Sequence, residues 1–122
     1  MKRDISYNSD TAWIETITID LADKSTVQKY ISTQSLAPFS SLTMSIRTSG
    51  CVGTSGNVTL EQSASASGKP SSPMATPITV ALGENVNVFD SGILEQEYAV
   101  VDMSLATLGV VGTMIITVHA RR

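Results

Sequence analysis

Val-Gly-Thr-Ser-Gly-Asn-Val-Thr-Leu-Glu-Gln-Ser, residues 52–63, sets a glycine-rich turn in front of an alternating apolar/polar segment that places Val58 and Leu60 on one side. A period of two puts successive side chains on opposite faces of a strand. The same order returns at the other end of the chain. There Gly109-Val110-Val111-Gly112-Thr113 leads into Met114-Ile115-Ile116-Thr117-Val118. Strands parted by small-residue turns, with no reactive side chains on them, predict a β-sandwich made to pack and to be touched.

Trp13 to Leu21 alternates with Ile17, Ile19 and Leu21 on one face and Thr16, Thr18 and Asp20 on the other. β-Branched residues dominate it, as suits a pleated surface. Ala22-Asp23-Lys24-Ser25 reads as a turn. Thr26 to Ile31 fits a strand better than a helical turn, being short and without a cap pair. Leu42, Met44 and Ile46 alternate with Thr43, Ser45 and Arg47. Ile78, Val80 and Leu82 mark another strand, and Val86 and Val88 a short one before a turn at Asp90-Ser91-Gly92. Tyr98 to Leu105 is more apolar throughout than the other segments, as a central strand covered on both faces would be. The expected fold is all-β: an antiparallel sandwich, jelly-roll or Ig-like, of about eight strands.

Residues 1–12 are polar apart from Ile5 and Tyr7 and read as an extended N-terminal arm before a single domain, 13–122. The arm is expected to dock on a partner surface, with docking on its own domain as the alternative. Residues 63–77 are low-complexity, and prolines at 70, 73 and 77 argue against a sheet there. That loop reads either as a contact finger or as a tolerated solvent loop.

A chain of 122 residues fits one domain with a core of its own. The charged share is 16%, which leaves much of the surface to Ser, Thr, Asn and Gln. Neutral surfaces of that kind suit permanent contacts, because Ser and Thr are cheaper to bury than Lys or Glu. A net charge of −3 without a basic stripe argues against nucleic acid as a partner. Lys2, Arg3, Arg121 and Arg122 put positive charge at both ends, which reads as solubilising. No membrane-length apolar run and no signal peptide are visible, so synthesis in a reducing cytoplasm is expected.

The residues that could carry chemistry are few. Cys51 is the single cysteine and reads as a small strand-end residue. His119 is the single histidine and reads as a strand surface residue; one histidine makes neither a zinc site nor a proton relay. The carboxylates are scattered through turns without calcium-loop spacing. Gly53-Thr54-Ser55-Gly56 lacks the lysine and helix of a phosphate-binding loop. Trp13, Tyr7, Tyr30, Tyr98, Phe39 and Phe89 are too few to fill a core and also make a sugar platform. No cofactor and no metal is expected, and no catalysis.

The succession Gly53 to Ser63, a Ser/Gly/Pro loop, Ile78-Thr79-Val80, Phe89-Asp90-Ser91-Gly92, Tyr98 to Val101 and Gly112 to Val118 resembles small β-sandwich virion proteins of tailed bacteriophages. Those proteins decorate capsids or build neck and tail rings. The resemblance covers roughly residues 40–119 and is a pattern of strands and turns. The Trp that often follows the central loop in such proteins is absent; Met74 stands nearby. The resemblance implies a non-enzymatic auxiliary or decoration subunit of the virion that stabilises the shell. Its implied partners are the major capsid protein or other virion subunits, in a homo-oligomeric or lattice-bound state. A neck or tail ring component and a carbohydrate- or cell-surface-binding module are the alternatives. Contacts are expected through Ile5, Tyr7 and Trp13 at the N-terminal side and Lys69, Pro70 and Met74 in the long loop.

Overall fold

In the computed structural model, which describes residues 1–23 and 28–122, the alternating segments become the strands of two packed sheets. The strands are β1 (Lys2–Asn8), β2 (Ala12–Asp20), β3 (Lys29–Ile31), β4 (Ser41–Ser49) and β5 (Ser55–Ser63), then β6 (Ser72–Ala81), β7 (Asn87–Ile93), β8 (Tyr98–Asp102), β9 (Ala106–Thr107) and β10 (Thr113–Arg121). One sheet runs β1-β2-β10-β4-β7; the other runs β3-β8-β5-β6, with β9 paired to β5. Setting aside β1 and β9, the chain passes between sheets in the double Greek-key order of a jelly roll. That order selects one of the two sandwich types the alternation allowed.

The centre of the first sheet explains why the pattern is so strict there. β10 pairs with β2 from Thr113↔Asp20 to Arg121↔Ala12 and with β4 from Thr113↔Ser49 to Arg121↔Ser41, without a slip. Trp13, Ile17, Ile19, Leu42, Met44, Ile46, Met114, Ile116 and Val118 all point inward and are buried. A shift of one residue would turn each of them to solvent. Val58, Leu60, Ile78, Val80, Ala99 and Val101 face them from the second sheet.

Several expectations need correction. The N-terminal arm is not separate from the domain: β1 pairs with β2 as the sheet's edge strand. Asp90-Ser91-Gly92 is not a turn but the middle of β7, paired with Met44, Thr43 and Leu42. Pairing along β4 overrides its turn-forming composition, and the Asp90 carboxylate accepts the Thr79 N–H, tying β7 to β6 at 3.2 Å. The long loop is shorter than expected because β6 starts at Ser72. β6 is the outer strand of its sheet, where a proline can sit, and its register jumps from Leu60↔Ile78 to Glu61↔Pro73. The apolar run after Tyr98 stays a strand only to Asp102. The turn at 22–25 and the start of the segment 26–31 fall on residues 24–27, outside the described residues; Lys29–Ile31 is strand.

Candidate docking surface

Two loops build one end of the sandwich. Residues 50–54 join β4 to β5, and residues 103–112 join β8 to β10 with β9 inside. Their backbones lie against each other. A Cβ on Gly109 would fall 1.9 Å from the Val52 carbonyl oxygen, and one on Gly112, at φ +98°, 2.6 Å from that of Gly50. Only glycine allows this approach. The Thr54 hydroxyl accepts the Gly109 N–H at 3.0 Å. Beneath them the Cys51 thiol is buried and donates to the Thr113 carbonyl at 3.3 Å. The backbone is thus held from below while its side chains point away. Val52, Leu105, Val110 and Val111 are exposed there, Val110 by 74%. Four apolar groups on linked loops are an unusual use of turn positions, which normally carry polar residues.

At the side of the molecule, β1 contributes little apolar burial; its anchor is electrostatic. Arg3 makes two parallel bonds to Glu15 at 3.0 and 3.1 Å and a third to the Ile31 carbonyl at 2.6 Å. Glu15 is only 2% exposed, so the pair is largely desolvated. Through Ile31 the guanidinium also links the two sheets at their open edge. Arg3 lies 6.0 Å from the centre of the Tyr30 ring.

Of the residues expected to make contacts, Ile5 and Tyr7 are exposed on β1, and Lys69 and Pro70 are exposed in the 64–71 loop. Trp13 and Met74 are not available: both are in the core, at 0% and 2% exposure. Trp13 shares the inward parity of Ile17 and Ile19 on β2, and Met74 turns inward where β6 bulges. The 64–71 loop does not project as a finger. Gly68, at φ +71°, is buried against Ile31 and Val100, and the Ser63 hydroxyl donates to the Pro70 carbonyl at 2.9 Å. The loop thereby roofs the outer face of β3 and β8, which is why Val100 is buried on that side. The apolar end was missed as a contact site. Its signal was Val110-Val111 enclosed by two glycines, a turn with a hydrophobic tip.

Groups able to do chemistry are spread apart. Cys51 packs beside Thr113, whereas His119 lies six residues further along β10, about 20 Å at strand rise. Burial, then Arg121, pushes the His119 imidazole below its ordinary value, which keeps it neutral on the outer face of its sheet at pH 7. Glu61 and Asp102 form a carboxyl pair on the outside of the second sheet. The hydrogen bond with Asp102, then burial, raises Glu61. Burial would raise Asp102 as well, but the hydrogen bonds from Glu61 and Ser104 and the charge of Lys29 hold it at about 2. Below its raised value Glu61 carries the one proton of the pair, and Asp102 carries the charge. Lys29 reaches Asp102 at 3.5 Å, and the Ser71 hydroxyl donates to Glu61 at 3.1 Å. Among the described residues, no three His, Cys, Asp or Glu side chains are grouped to hold a metal ion, and no helix is long and apolar enough to cross a membrane.

No family model and no curated protein matches the chain. Among solved structures it is similar to a chain from the Bacillus endospore appendages described as a novel family of disulfide-linked pili, at 11% identity and a TM-score of 0.40 over 97% of each chain.

Proposed function

We propose that this chain is a non-enzymatic structural subunit that works by docking onto other protein subunits, as an auxiliary or decoration subunit that binds and stabilises a bacteriophage capsid. The observation that carries the docking reading is the exposed apolar end, Val52, Leu105, Val110 and Val111, on a backbone held in place by glycine contacts. Exposed apolar groups on a rigid frame lose little entropy when covered, which favours lasting contacts. The neutral hydroxyl-rich surface and the dispersed chemical groups fit the same reading. The particle itself comes from the resemblance over residues 40–119.

The test is binding of the purified chain to phage shells that lack it, with the copy number per major capsid protein measured. Val52→Asp with Val110→Asp should weaken binding at least about tenfold while leaving the melting temperature nearly unchanged. A charged end that binds as well as the native one overturns this docking site. A native chain that binds no shell overturns the capsid reading.

A further inference from the structure

We infer that one ordered water molecule is bound between the two sheets behind the Arg3–Glu15 pair, held by the indole N–H of Trp13. Trp13 is 0% exposed, and its Nε1 has no hydrogen-bond partner among the described residues. Buried N–H groups in folded proteins are almost always paired, with protein or with ordered water. The side chain lines a small cavity, ≈ 10 Å³, shared with Arg3, Glu15, Tyr30, Ser32 and Ala99. That volume admits one water and nothing larger.

The lining also selects a neutral guest. Arg3 and Glu15 already satisfy each other at 3.0 and 3.1 Å, so neither sign of charge is in excess. A cation would meet the guanidinium and the indole donor; an anion would meet the Glu15 carboxylate. Water can accept from Trp13 and has acceptor oxygens for its own protons in Glu15 and Ser32. The Ser32 hydroxyl is oriented by donating to the Gln34 carbonyl at 3.0 Å and accepting the Ala99 N–H at 3.3 Å. The water would thus join β2 to the opposing sheet beside the ion pair that holds β1.

Trp13 is the sole tryptophan, so its indole resonance is unambiguous. In the native protein, the Trp13 indole proton should show a cross-relaxation peak to water with the sign of a long-lived complex. Absence of that peak overturns the proposal. A crystal structure should show a water oxygen within hydrogen-bond distance of Nε1, about 2.7–3.2 Å. Trp13→Phe, which removes the donor and keeps an aromatic filling, should lose that water. Its persistence at the same place in the variant would mean that Trp13 does not hold it.

Discussion

Glu61 and Asp102 show how two like residues on one surface acquire different roles. Below the raised value of Glu61, their hydrogen bond keeps the proton on Glu61 and the charge on Asp102, beside Lys29 and the Ser104 N–H. The linkage with stability runs in opposite directions for the two groups. Glu61 has a raised folded value, so its contribution is complete below its ordinary 4.5 and is lost as pH rises through the raised value. Asp102 has a lowered one, so its contribution is present above 3.8 and is lost as pH falls through about 2. The pair supports the fold best near pH 4. Glu61→Gln keeps a donor for Asp102 at every pH. Its melting temperature relative to the native protein should therefore be higher at pH 7 than at pH 4, as read by thermal unfolding in the two buffers. An equal difference at both pH values would mean that the carboxyls do not share a proton.

Along β1, backbone pairing is joined by two side-chain ties, the Arg3–Glu15 ion pair and the Asn8–Gln34 amide pair, and only the first is buried. Removing Arg3 leaves Glu15 as an uncompensated carboxylate at 2% exposure, which typically costs about 3–5 kcal/mol. Arg3→Ala should destabilise the protein by about 3 kcal/mol in denaturant unfolding. Arg3→Met combined with Glu15→Leu should recover most of that loss, because an apolar pair needs no compensation. If the double variant were as unstable as Arg3→Ala, the ion pair would not be the source of the effect. β6 and β7 close the opposite side by a different device, the Thr79 N–H to the Asp90 carboxylate. The two edges of the sandwich are thus tied by polar contacts, whereas its middle is held by apolar packing.

For the whole molecule, the decisive feature is that the last strand lies at the centre. β10 is added after every other strand in the chain, yet it fills the place between β2 and β4. Its inward residues Met114, Ile116, Val118 and Ala120 complete the core between the two halves of the sheet. Most pairings among the described residues join strands that are not consecutive in the chain; β1–β2 and β5–β6 are the exceptions, so the core depends on long-range contacts. A chain ending before residue 113 should lose cooperative unfolding altogether, checked by calorimetry and by dispersion of its amide resonances. A surviving sharp transition would show that the remaining strands pack without β10. The loop before β10 carries Val110 and Val111, and only the closed sandwich brings it onto Val52.

The alternation of Ile17 and Ile19, of Leu42, Met44 and Ile46, and of Val58 and Leu60 determined the strands and their inner faces. A period of two is a local property and needs no partner to be read. The same parity already assigned Trp13 to the interior, so its expected contact role conflicted with its own strand pattern. Other features had no local signal. Asp90-Ser91-Gly92 forms strand because β4 lies alongside it, and Met74 is buried because β6 bulges against β5. The pairing of Arg3 with Glu15 depends on which strand becomes the edge. The Ser-rich loop became a roof because β3 and β8 leave Ile31 and Val100 to be covered. Patterning along a chain determines which side of a ribbon is apolar; which ribbons meet, and what their loops then expose, is settled only by long-range packing.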